Sequence, residues 1–598
     1  MCGIAGYHGN GNKQLLSAML ESIKHRGPDD RGIEIFHNVG LGHNRLSIID
    51  LSNAGHQPMP NEDKTIFVVF NGEIYNFQEI KSKLKYKHTF KSSTDSEVIV
   101  HAYEEYGIEC LNMFNGMFSF VIYDIRKNLL FGARDRLGKK PLKYYIDQNI
   151  FAFASEIKAL LFCLKNKPEI DFKAINDFLT LQYIPAPKTG FKNIFKLPPG
   201  HYFIFNGEKL IVNRYWKLEF TEKMHLPEDA WEKLILEKLE NAVKKRMISD
   251  VPLGAFLSGG LDSSAVVALM AKNSHQKIKT FSVGFDDPKF DETYYAQLVA
   301  QKYNTDHTTL IVNSKTLLEN IPRLIDFYDE PLADNSILPT FLLCQLARKH
   351  ITVALNGDGG DENFAGYDRY NVVYFSQFYK HIPQIIRKNI IDNLVNTIYR
   401  VYPSKLTERV KKFSNTSEFP FYRKYIYYNC FFTNELKEGL CSREFKEEIK
   451  GSDTFNTFRS IYNPYIEDLD NALNFDINNY LPEDLLYKID CASMSFALEL
   501  RSPFLDYELV ELTAKMPCNL KIHFFDKKHL FKKILVKNDI IPREVAYRKK
   551  MGFIIPLNKW FKGCLKEYVR EQILSNKIKE SNIFNYSKLE EYVDNYLA

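Results

Sequence analysis

At 598 residues the chain exceeds what one hydrophobic core supports, and ordinary domain sizes predict two to four units. Hydrophobic residues make up 45% and charged residues 26%, the balance of a soluble globular protein rather than a disordered one. Lysine and arginine total 79 against 74 for aspartate and glutamate, which excludes the basic excess of a nucleic-acid binder and predicts no nucleic-acid partner. Nine cysteines without a CxxC pair or zinc spacing read as reduced thiols and predict a cytoplasmic protein. No basic-plus-apolar leader and no apolar run of bilayer length is present, so no membrane partner is expected.

In chain order, residues 1 to about 210 read as short β-rich segments punctuated by Gly, Asn and Pro. Val68 to Phe70 precedes an Asn-Gly pair expected to turn, Phe118 to Tyr123 and Leu129 to Phe131 flank a polar turn, and Phe151 to Ala154 and His201 to Phe205 are further strands. From about residue 225 the texture changes. Trp231 to Met247 repeats apolar residues at helical spacing, and Val251 to Leu257 reads as a strand entering a Gly-rich turn. A helix over Ser263 to Ala271 follows, then Ile278 to Val283 (strand), Tyr294 to Lys302 (helix), Thr308 to Val312 (strand) and Thr352 to Leu355 (strand) before a second Gly-rich turn. Strands alternating with helices predict a parallel α/β sheet. From about Tyr370 the chain is expected to be mostly helical.

Several residues carry chemistry in this pattern. If Met1 is removed, Cys2 holds a thiol and a free α-amine on one residue, so nucleophile and base come together. An α-amine pKa of about 7.7–8.0 suits a general base. Asn71 and Gly72 offer an amide and a backbone N–H to an oxyanion, although an Asn-Gly pair in isolation reads better as a hairpin turn. Arg45 has the planar fork that clamps a carboxylate, and Asp95 the charge that receives an ammonium; surface ion pairs are the other reading of both. Downstream, Ser258-Gly259-Gly260-Leu261-Asp262-Ser263-Ser264 lies between a strand and a helix, where glycines admit a phosphate to free N–H groups. Hydroxyls of Ser258, Ser263 and Ser264 add donors, and Asp262 is placed to hold Mg²⁺ against phosphates. The loop lacks the Gly-Lys-Ser/Thr ending of a P-loop.

The series Cys2-Gly3-Ile4, His25-Arg26-Gly27-Pro28-Asp29, Arg45 to Asp50, Gly55 to Met59, Phe70 to Asn76 and Ala133 to Gly138 resembles the class-II glutamine amidotransferase domain of glutamine-dependent asparagine synthetases. The Ser258–Ser264 loop resembles that of N-type ATP pyrophosphatases. Asn356-Gly357-Asp358-Gly359-Gly360-Asp361-Glu362, Tyr480 to Leu486, Glu499 to Asp506 and Arg548 to Phe553 extend the resemblance over nearly the whole chain. It implies an N-terminal-nucleophile αββα sandwich over 1–210, and an α/β parallel-sheet ATP-pyrophosphatase domain with a helical C-terminal extension over 225–598.

The resemblance also implies roles. Cys2 attacks the glutamine amide and Asn71 with Gly72 holds the oxyanion. Arg45, Leu46, Ser47, Ile48, Ile49, Asn71, Gly72, Glu73 and Asp95 bind glutamine. Leu257, Ser258, Gly259, Gly260, Asp262, Ser263, Ser264, Val283, Asn356, Gly357 and Lys550 bind ATP or pyrophosphate, with an ordinary salt bridge the alternative for Lys550. Asp262 and Asp361 hold Mg²⁺, and Asp358 serves catalysis. The expected reaction joins ammonia to a β-aspartyl-AMP made from L-aspartate and Mg-ATP; an amidotransferase for another carboxylate, a sugar acid or natural-product precursor, stays open. Members of the family often dimerise, so a homodimer is possible. The family's second turn runs Ser-Gly-Glu-Gly-Ser-Asp-Glu. Asn356, Asp358 and Gly360 depart from it, and the shorter acid at 358 reaches about one bond less far.

Overall fold

The computed structural model describes residues 2–402, 404–416, 418–549 and 555–598. Its N-terminal part contains two six-stranded sheets. The first has the order β10-β8-β9-β1-β3-β2, with β1 (Gly3–Gly9), β2 (Asp30–Ile35), β3 (Val39–Arg45), β8 (Lys143–Ile146), β9 (Ile150–Ala154) and β10 (Ile194–Lys196). The second runs β12-β11-β7-β6-β5-β4, with β4 (Met59–Pro60), β5 (Ile66–Ile74), β6 (Gly116–Asp124), β7 (Leu129–Arg134), β11 (His201–Phe205) and β12 (Leu210–Arg214). All the pairings are antiparallel.

The period-2 pattern of the strands sorts their side chains into layers. Phe67 and Val69 of β5, Val121 of β6, Ile4 of β1 and Phe151 and Phe153 of β9 meet between the sheets. The alternate residues Val68, Phe70, Phe118, Phe120 and Ile122 face outward, beneath helices α2 (Phe77–Leu84) and α3 (Ser96–Tyr106). Ala5, Tyr7, Ala152 and Ala154 face the other way, against Leu16, Met19 and Leu20 of α1 (Lys13–Ser22). Strands that are apolar on both faces, as β5 and β6 are, demand cover on both sides. The result is the expected αββα sandwich.

One expectation fails here. Asn71-Gly72 is not a turn, because β5 continues through both residues to Ile74, with Asn71 opposite Ser119 and Gly72 opposite Phe118. Gly72 keeps φ +153°, and a Cβ there would lie 2.1 Å from the Met117 carbonyl oxygen. The Asn-Gly signal for a hairpin loses to the ladder with β6.

The C-terminal part opens with α4 (Glu228–Arg246) and builds a parallel sheet ordered β15-β14-β13-β16-β17. Its strands are β13 (Leu253–Phe256), β14 (Lys279–Phe285), β15 (Asp306–Val312), β16 (Val353–Leu355) and β17 (Glu499–Arg501). Helix α5 (Leu261–Lys272) packs with α4 on one face through Val266, Leu269, Trp231 and Leu239. Helix α7 (Ile337–Arg348), which follows α6 (Thr293–Lys302), covers the other through Leu338, Phe341 and Leu342. Parallel strands need such crossovers, and cover on both faces explains the apolar runs of the central strands β13 and β16. The tail is mainly helical as expected, except that it returns β17 to the edge of the sheet.

Candidate active sites

Strands β1, β3 and β5 bring Cys2, Arg45 and Asn71 together. Cys2 precedes β1; its backbone N–H donates to Asn71 Oδ1 at 3.1 Å. Its thiol lies beside the Leu46 carbonyl, and burial raises its pKa. The Asn71 amide nitrogen faces Ser119 Oγ at 3.5 Å. Arg45 leaves β3 with its guanidinium donating to the carbonyls of Ser52 at 2.8 Å and Asp50 at 2.5 Å. Neutral carbonyls orient that fork without cancelling its charge. Gly55 makes room for it, since a Cβ there would sit 1.9 Å from Arg45 Nη2.

The pocket is lined by Cys2, Arg45, Leu46, Ile48, Ile49, Gly72, Glu73 and Asp95, while Ser47 and Asn71 of the expected set are absent from the lining. Ser47 instead donates its N–H to Asp29 at 2.8 Å, fixing the strand end. The pocket is small, with a volume of about 30 Å³.

The acidic wall was only half foreseen. Glu73 Oε2 accepts from Arg501 Nη2 at 3.0 Å, while its Oε1 is buried without a hydrogen bond. Arg501 also holds Glu499 at 2.6 Å, and Glu499 itself lines the Cys2 pocket. Burial, then the charge of Asp95, raises the Glu73 carboxyl well above its ordinary range. Asp95 is pushed up to about 6, by burial first, although the Ile74 N–H donating at 2.7 Å opposes this. Glu73 and Glu499 thus pair with the Arg501 guanidinium, while Asp95 acts on Glu73 as a neighbouring like charge.

The second site is a cavity of about 810 Å³ at the C-terminal ends of the parallel strands, where ligands of open α/β sheets bind. Two Gly-rich turns form its floor. In the first, Ser258 Oγ and Ser263 Oγ are 3.0 Å apart and Gly260 caps α5. Gly259 has φ +70°, and a Cβ there would lie 2.5 Å from the Ala296 nitrogen. The second turn follows β16 and packs onto the first: a Cβ on Gly357 would sit 2.7 Å from Ser263 N, and one on Gly360 2.5 Å from Asp262 Cγ. Asn356 Oδ1 accepts from Ser502 Oγ at 2.6 Å.

Ser258, Gly260, Asp262, Ser263, Val283, Asn356, Gly357, Asp358 and Asp361 line this cavity. Leu257, Gly259 and Ser264 shape it from behind, outside the lining. The expected donor role of Ser264 is corrected, because its side chain is fully buried with the hydroxyl unpaired. One residue further along α5 turns a side chain by about 100°, from the ligand side at Ser263 to the protein side. Lys550 lies outside the described residues.

Cations the sequence reading passed over complete the site. Lys528 Nζ bonds Asp262 at 2.5 Å and Asp361 at 2.7 Å, so both carboxylates converge on one positive point. That convergence fits a divalent cation as well as an ammonium. Arg548, cited only within a motif, donates from Nε to the Gly259 carbonyl at 3.1 Å and pairs with Glu292. Lys488 pairs with Asp334 at 2.6 Å. Asp358 is pushed up to about 6 by burial, with Lys488 opposing.

A buried ionic seam joins the parts. Arg26 bridges Glu156 and Asp490, each at 2.8 Å, and Lys196 bridges Glu330 at 2.6 Å and Glu483 at 3.1 Å. Lys140 adds Asp490 at 3.4 Å and Arg134 adds Glu483 at 3.4 Å. Lone charges in one part thus have their partners in the other.

Two family models match the chain. The glutamine amidotransferase domain model matches residues 1–216 and the asparagine synthase model residues 234–598. Asparagine synthetase (glutamine-hydrolyzing) 1 of Bacillus subtilis strain 168 is 33% identical, over 98% of this chain and 91% of its own. Asparagine synthetase (glutamine-hydrolyzing) 3 of the same organism is 30% identical, over 92% and 87%. The amidase chyE of Penicillium rubens is 27% identical, over 97% and 90%. This chain belongs to the glutamine-hydrolysing asparagine synthetase family.

Proposed function

We propose that the chain transfers the amide nitrogen of glutamine to L-aspartate, spending ATP to give asparagine, glutamate, AMP and pyrophosphate, with 1–210 as glutaminase and 225–598 as synthetase. The observation carrying this reading is β17 and its exit. Glu499 lines the Cys2 pocket, and Ser502, three residues on, bonds Asn356 of the ATP-side turn. One short segment therefore touches both centres, as a coupled reaction requires.

In the glutaminase pocket Arg45 takes the substrate carboxylate, while Glu73 and Asp95 receive its ammonium. With Met1 removed, the α-amine of Cys2 stays beside Asn71 Oδ1, poised to take the thiol proton. Such help is needed because burial disfavours the free thiolate. The thiolate attacks the side-chain carbonyl, and the Asn71 amide with the Gly72 N–H stabilises the oxyanion. Ammonia leaves and water releases glutamate.

In the large cavity the first Gly-rich turn binds the phosphates with backbone N–H groups and the Ser258 and Ser263 hydroxyls. Asp262 and Asp361 would hold Mg²⁺, whose bound form neutralises phosphate charge. Lys528 then leaves their embrace to pair with phosphate beside Arg548. The acceptor carboxylate attacks the α-phosphorus, pyrophosphate departs, and ammonia displaces AMP from the acyl-adenylate. Asp358, with its raised pKa, accepts the proton that ammonia loses.

The test is pyrophosphate release from Mg-ATP and glutamine with and without L-aspartate, with products identified by mass. The expected result is aspartate-dependent pyrophosphate matched by asparagine. Glutamate release without aspartate-dependent pyrophosphate would move the acceptor to another carboxylate, the alternative that Asp358 and the amidase relative keep open.

A further inference from the structure

Away from both centres, the turn between β4 and β5, the segment after α2 and helix α3 bring Glu62, His88, His101 and Glu104 within 4.8 Å of one another, measured between single ligand atoms. We propose that these four side chains form a tetrahedral site for a divalent transition metal of the zinc type, stapling the 85–95 segment to α3.

The geometry is that of a coordination shell. Bonds of about 2.0–2.2 Å to nitrogen and oxygen put tetrahedral ligands about 3.3–3.5 Å apart. His88 Nδ1 lies 3.2 Å from Glu62 Oε1 and 3.9 Å from Glu104 Oε2. His101 Nδ1 lies 3.4 Å from Glu62 Oε2 and 4.0 Å from Glu104 Oε2. The two histidines face different oxygens of Glu62, so a four-coordinate shell brings both onto one of them, and separations of up to 4.8 Å shorten to tetrahedral edges when a cation draws the four together.

His101 is the independent sign. It is only 1% exposed, yet neither ring nitrogen makes a hydrogen bond, and Glu104 Oε2 is likewise buried and unbonded. Buried polar atoms rarely go unpaired, and a metal on Nδ1 satisfies both residues at once. Two further carboxylates stand behind the rings without a hydrogen bond to them, where closure on a metal would make the carboxylate–histidine–metal pattern. The remaining nitrogen of His88 faces Glu105 at 3.4 Å, and that of His101 faces Glu97 at 3.8 Å. Asn61 fixes the second Glu104 oxygen at 3.0 Å, and the Thr89 N–H fixes Glu62 Oε1 at 3.0 Å. Two neutral imidazoles and two carboxylates balance a 2+ charge, and this N₂O₂ set suits Zn²⁺ better than Mg²⁺ or Ca²⁺, which prefer all-oxygen shells. Glu62, one-third exposed, leaves a path for entry. Glu97 also accepts from the N–H groups of Lys91 at 2.7 Å and Ser92 at 2.8 Å, so the staple reaches the stretch that carries Asp95.

The test uses the full-length chain stripped with EDTA and titrated with Zn²⁺ against a chromophoric chelator, then with Co²⁺ read by visible absorption. One Zn²⁺ per chain and the intense d–d bands of four-coordinate Co²⁺ are expected. His88→Asn should abolish both, and Glu105→Gln should weaken Zn²⁺ binding about 10–100-fold. Glu62→Gln, at a partly exposed position that spares the core, should lose the metal while keeping the native circular dichroism. No stoichiometric Zn²⁺ on the wild-type chain, or uptake unchanged in folded Glu62→Gln and His88→Asn, overturns the site.

Discussion

Cys2 and Asp95 show how burial sets chemistry at the scale of one residue. With Cys2→Ala the nucleophile is gone but the larger cavity is untouched. Glutamine-dependent synthesis should therefore fall to background while ammonia-dependent synthesis persists, a split measured by supplying each nitrogen source in turn. Asp95 bears on pH. Its carboxyl titrates near 6 in the fold against about 3.9 in an unfolded chain. Between those values the native state binds more protons, so this group's contribution to stability falls as pH rises and is least favourable above 6. Ligand binding has the opposite sense, because a substrate ammonium needs the ionised form. The KM for glutamine should rise up to about tenfold per unit as pH drops below 6, with ammonia-dependent turnover as the control. A flat KM between pH 5 and 7 would remove Asp95 from the ammonium site.

The facing Gly-rich turns pose the sharpest steric demand among the elements. A methyl on Gly357 would meet the backbone of α5 at Ser263 N and Asp262 C, at 2.7 and 3.0 Å. Backbone cannot rotate aside as a side chain can, so the turns must separate. Gly357→Ala should weaken ATP binding at least about tenfold, on the 1–3 kcal/mol scale of overpacking, and leave glutaminase activity intact. Isothermal titration with a non-hydrolysable ATP analogue, alongside a glutaminase assay, checks both halves. The same reasoning explains why the period-2 pattern located β5 yet misjudged its end. Asn71-Gly72 has the local chemistry of a turn, but the ladder to β6 outweighs it, leaving Asn71 inward beside Cys2.

Across the whole molecule, the seam between the two parts carries buried ion pairs. Arg26, fully buried between Glu156 and Asp490, is its most enclosed member, and both partners hold it strongly protonated against the opposing effect of burial. Arg26→Met would remove the cation that Glu156 and Asp490 share, leaving His25 and Lys158 to the first and Lys140 to the second, a loss of at most about 3–5 kcal/mol, the scale of a broken buried pair. Thermal unfolding should show a lowered midpoint, together with glutamine hydrolysis no longer matched to pyrophosphate release. An unchanged midpoint would mean the seam relaxes around the missing charge.

The sequence by itself determined most of the strands and helices, both Gly-rich turns and the candidates for most positions lining the two cavities, while the layers followed from the family resemblance. Periodicity, glycine placement and hydroxyl or carboxylate chemistry are local properties, written within a few consecutive positions. Tertiary structure alone decided that Glu499 enters the Cys2 pocket with Arg501 pairing it and Glu73, that Lys528 joins Asp262 to Asp361, and that Ser264 turns away from the cavity. Arg501 lies 428 positions from Glu73 and Lys528 lies 266 from Asp262. A charge in a sequence has no recorded partner at such separations. Only folding, by excluding water, forces each buried charge to find one.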